Sequence, residues 1–139
     1  MEISRRSAIK NLLKQYHIQP SRKLGQNFLI DKKILEKITK EARLEKNDIV
    51  LEIGPGIGNL TQEIAKKVKA VIAVEKDPKM VEILKETLTG FKNIKVVRQD
   101  ILKIFNSQFY WTPLGELPEG LLFNKFQISN YKVVANLPF

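Results

Sequence analysis

Glu52-Ile53-Gly54-Pro55-Gly56-Ile57-Gly58 separates a short apolar run, Ile49 to Ile53, from a helical stripe of Leu60, Ile64, Ala65 and Val68. A glycine turn between a strand and a helix lets backbone approach a ligand closely, and the helix start offers free N–H groups. A tight strand–helix turn needs one glycine, whereas here glycines stand at three alternate positions. The dinucleotide fingerprint G-x-G-x-x-G asks for Gly or Ala at position 59. Asn59 stands there instead. The spacing of Gly54, Gly56 and Gly58 therefore departs from a dehydrogenase and suits a nucleoside cofactor without a pyrophosphate.

Beyond the turn, Ala70 to Val74, Ile94 to Val97 and Val133 to Ala135 read as three further strands. Between the second and third, Asp77 is an N-cap and Pro78 a first helical residue, followed by Met80, Val81, Ile83, Leu84 and Leu88 at helical spacing. Gly90 is expected to stop that helix. Strand runs alternating with helices of this length indicate parallel βαβ units. Strands without polar alternation are expected to be buried on both faces.

Before the turn, Asn47-Asp48 breaks the chain. Asp31 is expected to cap a helix with an apolar stripe of Ile34, Leu35, Ile38 and Ala42. Ser7 is expected to cap an earlier one carrying Ala8, Ile9, Leu12, Leu13 and Tyr16, which Pro20 ends. Ser21 to Leu29 reads as a loop. The regular pattern is lost between Asp100 and Tyr131, where Phe105, Phe109, Tyr110, Trp111, Phe123 and Phe126 are interleaved with proline and glycine. Such an apolar stretch is expected to pack over the domain as a loop or hairpin.

Two acids flank the turn in the reading of the sheet. Glu75 ends the second strand about 20 residues past Gly54, where a carboxylate can accept from both hydroxyls of a ribose. Asp100 ends the third, where a carboxylate can accept from the amino group of an adenine. Ligands of open α/β sheets bind at that C-terminal edge. After the fourth strand, Asn136-Leu137-Pro138-Phe139 brings an amide, a backbone carbonyl and a ring to the same edge. The exocyclic amine of adenine is a poor nucleophile because its lone pair is delocalised. An Asn oxygen and a backbone carbonyl that accept its two N–H bonds favour a tetrahedral nitrogen and aim its lone pair. The ring can stack on a base taken out of its helix.

Composition narrows the partners. The 139 residues carry 24 Lys and Arg against 15 Asp and Glu, a formal net charge of +9. Met1 to Phe28 concentrates Arg5, Arg6, Lys10, Lys14, Arg22 and Lys23 against Glu2 alone. Such a cluster suits a phosphate backbone, where each cation displaces condensed counterions. No cysteine is present, which excludes disulfides and thiolate metal sites and makes a reducing cytoplasm the simplest setting. A Ser-His-Asp triad or a His-based metal site would have to rest on the lone histidine, His17, which reads instead as an ordinary loop residue. No run approaches the roughly 18 apolar residues of a membrane span, and the N-terminus has no signal-like apolar core.

Lys23-Leu-Gly-Gln-Asn-Phe-Leu29, Glu52-Ile-Gly-Pro-Gly56, Val74-Glu75, Gln99-Asp100 and Ala135-Asn-Leu-Pro-Phe139 closely resemble the bacterial small-subunit ribosomal RNA adenine dimethyltransferases. The resemblance runs from about Lys23 to Phe139 with the motifs in order. It implies a class I S-adenosylmethionine-dependent methyltransferase, an α/β fold with a Rossmann-like, mostly parallel sheet. It implies methyl transfer from S-adenosylmethionine to two adjacent adenines. Carried over by position, Asn27 and Leu29 hold the cofactor from the N-terminal loop and Gly54, with Gly56, approaches its methionine portion. Glu75 takes the ribose, Asp100 the adenine, and Asn136 lies at both cofactor and target amine. Leu137, Pro138 and Phe139 complete the target pocket. No metal is implied, and the partner is small-subunit ribosomal RNA or its precursor particle, bound by a full-length monomer.

The resemblance also has departures. The stretch from Asp100 to Asn136 is longer than the family pattern, and Phe139 stands where Tyr is usual, keeping the stacking face without the hydroxyl. Family members continue with more strands and a helical C-terminal domain. The chain is therefore expected to be a fragment truncated after the fourth strand, with a basic helix and arm over residues 1–24 and the start of the methyltransferase domain over 25–139. That puts the activity of these 139 residues alone in doubt. Two readings compete: a non-catalytic RNA-binding or ribosome-assembly factor on the same fold, and a large-subunit ribosomal RNA methylase of the resistance type. Asn59 and the Asn-Leu-Pro-Phe motif argue against a nicotinamide-dependent dehydrogenase.

Overall fold

The computed structural model describes residues 6–19, 31–106 and 131–135. In chain order the elements are α1 (Arg6–Gln15), α2 (Lys32–Glu41), β1 (Ile49–Ile53), α3 (Asn59–Ala65), β2 (Ala70–Glu75), α4 (Pro78–Thr87), β3 (Ile94–Arg98), α5 (Ile101–Asn106) and β4 (Lys132–Ala135). The strands form one parallel sheet in the order β3-β2-β1-β4. The parallel α/β architecture expected of the sequence is thus the one observed.

Both inner strands are apolar because helices or loops cover them on each side. β1 and β2 are buried over most of their length. β3 and β4 are the edges of the described sheet, and there the expectation of burial on both faces does not hold. Lys95 and Arg98 of β3 and Val133 and Ala135 of β4 are exposed, because a residue on an edge strand lacks a neighbour on one side. One sheet face carries Val50, Val71 and Val134 against Leu35 of α2 and Leu60, Ile64 and Ala65 of α3. The other carries Leu51, Ile72 and Val74, with Ile101 of α5 packed against them. Each fully buried aliphatic side chain contributes about 1.5–3 kcal/mol.

The helix boundaries follow local chemistry. Asp31 caps α2 by accepting from the Lys33 N–H at 2.9 Å, and Asp77 caps α4 from Lys79 at 2.8 Å, with Pro78 at the first turn. In α2, Ile34 is exposed and Thr39 is buried in its stead, so the packed stripe is Leu35, Ile38, Thr39 and Ala42. Gly90 is not what stops α4. The helix ends at Thr87, and the Thr89 hydroxyl donates to the carbonyls of Lys85 at 2.7 Å and Glu86 at 2.9 Å.

α1 begins before Ser7 and ends well before Pro20. His17 sits at φ 51, and the Ile18 N–H reaches the Leu13 carbonyl at 2.8 Å, a Schellman-type stop. Ile18 then joins Ile9, Leu12 and Leu13 in a cluster with Ile57, Met80 and Ile83. The basic N-terminal helix is therefore docked on α4, with the Tyr16 hydroxyl donating to Glu86 at 2.7 Å. α5 opens the stretch after Asp100 that sequence pattern left irregular. Most of that aromatic stretch, and the expected packed loop or hairpin in it, lies outside the described residues.

Candidate cofactor site at the glycine turn

The chain winds from β1 through β2 to β3 on one side, then returns to place β4 on the other side of β1. Strand order therefore reverses beside β1, and open α/β sheets bind ligands at the carboxyl ends of the strands where that happens. The glycine turn occupies this position. Gly54, Gly56 and Gly58 have φ of 68°, 58° and 90°. Side chains disfavour this region by roughly 1–2 kcal/mol per residue, so all three glycines serve the path of the turn.

The turn is braced from both sides. The Gly54 N–H donates to the Val74 carbonyl at 3.0 Å, extending the β1–β2 ladder into the loop. The Gly58 N–H closes the turn onto the Pro55 carbonyl at 3.0 Å. Gly58 then caps α3 in a left-handed conformation, without a side-chain cap. A Cβ on Gly58 would stand 3.1 Å from Cδ2 of both Leu84 and Leu88 and 3.2 Å from the Thr87 hydroxyl. That hydroxyl donates to the Ile57 carbonyl at 3.0 Å, and Gln62 Nε2 donates to the Thr87 carbonyl at 2.8 Å. Sequence reasoning missed Thr87 and Gln62, because both bonds join residues distant in the chain and no motif spacing signals them.

Glu75 lies where the sequence placed it, at the end of β2 and against the turn. Its carboxylate accepts from the Asp77 N–H at 2.9 Å. Burial is the largest influence on its pKa and raises it, while the N–H groups of Asp77, Lys76 and Gly56 oppose the rise. The Gly56 contact joins the acid of β2 to the glycine turn of β1. Asp100 lies two residues past β3, adjacent in the sheet because the Gln99 N–H donates to the Glu75 carbonyl at 3.0 Å. One Asp100 oxygen accepts from the Leu102 N–H at 2.9 Å and caps α5.

Glu52 had no role beyond heading the glycine motif, yet it is the most unusual residue of the site. It is 1% exposed, on the α3 side of β1. Neither carboxylate oxygen has a hydrogen-bond partner, nor does the buried Thr61 hydroxyl. Burial pushes the Glu52 carboxyl up to about 7, with Thr61 nearby lowering it and the Glu75 charge raising it. Two acids thus converge under one glycine turn.

β4 ends at Ala135, in register with Ile53, the residue before Gly54. Asn136 is the next residue of the chain. Asn27, Leu29, Asn136, Leu137, Pro138 and Phe139 all lie outside the described residues. Among the described residues no group of three or more His, Cys, Asp or Glu side chains is arranged to hold a metal ion. No helix among them is long and apolar enough to cross a membrane.

Comparison with known proteins matches this geometry. The family described as ribosomal RNA adenine dimethylase matches residues 18–139. Ribosomal RNA small subunit methyltransferase A of Alkaliphilus metalliredigens is 43% identical over 133 residues, covering 96% of this chain and 42% of its own length. The protein of that name from Clostridioides difficile is 40% identical, covering 99% of this chain and 43% of its own. The chain thus spans less than half the length of these curated relatives. Among solved structures, a dimethyladenosine transferase from Plasmodium falciparum aligns at TM-score 0.53 and 28% identity, over 78% of this chain and 33% of that one. The 23S rRNA methyltransferase ErmE aligns at TM-score 0.52 and 43% identity, over 55% of this chain and 31% of its own. The fold is that of the class I S-adenosylmethionine-dependent methyltransferases, and the chain belongs to the ribosomal RNA adenine dimethylase family.

Proposed function

We propose that the protein transfers methyl groups from S-adenosylmethionine to the exocyclic amines of adjacent adenines in small-subunit ribosomal RNA, and so takes part in ribosome biogenesis. The observation that carries this reading is the left-handed glycine turn at the strand-order reversal, with Glu75 at the end of the neighbouring strand and Glu52 buried without a partner. These groups fit S-adenosylmethionine. Left-handed glycines at alternate positions let the backbone approach a ligand closely, the Glu75 carboxyl suits ribose hydroxyls, and no pyrophosphate clamp is needed.

In this reading Gly54 and Gly56 offer backbone to the methionine portion, above the buried Glu52. Glu75 accepts from the ribose hydroxyls. Asp100 accepts from the adenine amino group with its oxygen not used to cap α5. Asn27 and Leu29 close the site from the N-terminal loop. S-adenosylmethionine supplies an electrophilic methyl group. Asn136 and a backbone carbonyl of the Leu137-Pro138 segment accept the two N–H bonds of the target amine, and Phe139 stacks on its base. With S-adenosylmethionine bound, the amine nitrogen so held would take the methyl group as the sulfur–methyl bond broke, and would then release its proton to water. No strong base is needed, since the methylated amine is acidic before it loses that proton.

The substrate is small-subunit ribosomal RNA or its precursor particle, met in the cytoplasm by a monomer of the full-length form. Residues 1–24 serve as a basic helix and arm, and residues 25–139 begin the methyltransferase domain. The deciding experiment assays the full-length form on unmethylated small-subunit particles, with large-subunit RNA as a second substrate. Methyl transfer to the small subunit, lost in Asn136→Ala, supports the proposal. Transfer to the large subunit alone moves the protein to the resistance type, and transfer to neither removes the enzyme reading.

A further inference from the structure

α2 and α3 border an open groove of about 530 Å³ at the end of the molecule away from the glycine turn. Its place follows from two contacts. Lys132, the first residue of β4, donates to the Arg43 carbonyl and pairs with Asp48, just before β1, at 2.7 Å. The groove therefore lies by the N-terminal ends of the strands, and the glycine turn by their C-terminal ends. A five-residue strand separates the two by about 16 Å.

Lys40, Arg43 and Lys67 line the groove. Among the described residues none of them has a carboxylate within 4.0 Å. Of the two acids of the groove, Glu63 is paired with Lys66 at 2.5 Å, and Glu36 lies 4.0 Å from Lys32 on an exposed stretch of α2. The Lys67 ammonium is held in place by donating to the buried Thr39 hydroxyl at 2.6 Å, which donates in turn to the Glu36 carbonyl at 3.0 Å. A pinned, unpaired ammonium has already lost much of the rotamer freedom that binding an anion would take from it.

Arg43 is the second observation. It follows α2 at φ 47, the left-handed position at which helices favour glycine. Helix termination alone thus disfavours the arginine, and the backbone there would accept glycine. Cations at helix C-termini also complement the helix dipole, which suffices for Lys40 in the last turn of α2. At the end of α3 the Ala65 carbonyl already accepts from Asn93 Nδ2 at 2.9 Å, so Lys67 is not required as its donor.

We propose that this groove grips the phosphodiester backbone of RNA, as a contact separate from the methyl-transfer edge. A planar guanidinium beside two ammonium groups matches successive phosphates, and the contact carries no base information. It would orient a folded RNA across the sheet while the target adenine enters at the far end. The inference rests on the reading of the protein as an RNA-modifying enzyme.

The test measures binding of a fluorescein-labelled RNA duplex to the full-length protein across a salt series, for the parent and for Arg43→Gly with Lys67→Gln. Duplex binding loses a slope of about 0.9 in log K against log salt for each phosphate contact removed. The double variant is expected to lower the slope by about 2 and the low-salt affinity by about tenfold. S-adenosylmethionine affinity should be unchanged, and Arg43→Gly alone should melt no lower than the parent, since glycine suits that backbone. An unchanged slope overturns the proposal. So does a parent that binds no RNA, or one whose Arg43 and Lys67 matter only for anionic lipid vesicles. Failure of the enzyme reading shows separately, as absent S-adenosylmethionine binding or methyl transfer by the parent.

Discussion

Glu52 concentrates the physics of the site in one carboxyl group. Its two oxygens are buried without partners, and burial holds its pKa up at about 7 from 4.5. The folded state therefore binds a proton that the unfolded chain releases in that interval. The stabilisation from this proton is complete below pH about 4.5 and is lost as pH rises through about 7. At about 1.36 kcal/mol per pKa unit, the loss is of order 3 kcal/mol by pH about 8. The pKa of Glu75, raised chiefly by burial, gives a slope of the same sign. Urea unfolding of the parent should therefore show stability falling between about pH 5 and pH 8. Glu52→Gln should flatten most of that slope and leave the remainder to Glu75. A variant with the parent's slope would mean that Glu52 is hydrated in solution. The residue scale also marks a limit of sequence reading. The positions of Gly54, Gly56 and Glu75 were legible from spacing, but the burial of Glu52 depends on α3 closing over it.

At the scale of elements, the turn is held as much by α4 as by the strands it joins. Gly58 illustrates this. Its φ of 90° disfavours any side chain, and an added Cβ meets Leu84, Leu88 and Thr87 at 3.1–3.2 Å. Gly58→Ala should cost about 3 kcal/mol, combining left-handed strain with overpacking against α4. Gly90→Ala is the control, because nothing lies within 4 Å of its Cβ and its φ is not left-handed. It should be neutral or stabilise by about 0.4–1 kcal/mol. Thermal unfolding of both variants checks the contrast, and equal effects would show that α4 does not brace the turn. Local signals located these elements well. Asp31, Asp77 and Pro78 marked helix starts, and the apolar runs marked the strands. The stops were harder, because they rest on contacts a linear pattern does not encode. α4 ends at Thr87, and the Thr89 hydroxyl satisfies two of its last carbonyls, while His17 ended α1 by taking a conformation more usual for glycine. Docking of α1 on Met80 and Ile83 was invisible for the same reason, as each helix showed only an unassigned apolar stripe.

The whole molecule has two ends with different chemistry. Acids and left-handed glycines gather at the C-terminal ends of the strands, and unpaired cations gather in the α2–α3 groove at the other. The parallel sheet enforces this division, since every strand starts at one end and finishes at the other. Ligands at the two ends should therefore protect different parts of the fold. A ligand that binds only the folded state stabilises it by about 2.7 kcal/mol at 100 times its dissociation constant. For a domain of this size that raises Tm by about 8 °C. S-adenosylmethionine at that excess should produce a shift of this order. Hydrogen-exchange protection should rise at Gly54–Asn59, at the end of β2 and at the start of α5, but not along the groove. RNA added alone should reverse the pattern in the described regions, slowing exchange around Arg43 and Lys67 and leaving the glycine turn little changed. High salt should abolish the second effect and spare the first, because the groove contact is between unpaired cations and phosphates, and the turn contact is short-range and partly buried. Protection by S-adenosylmethionine that appears first around Arg43 would place the cofactor at the wrong end of the sheet and remove both site assignments together.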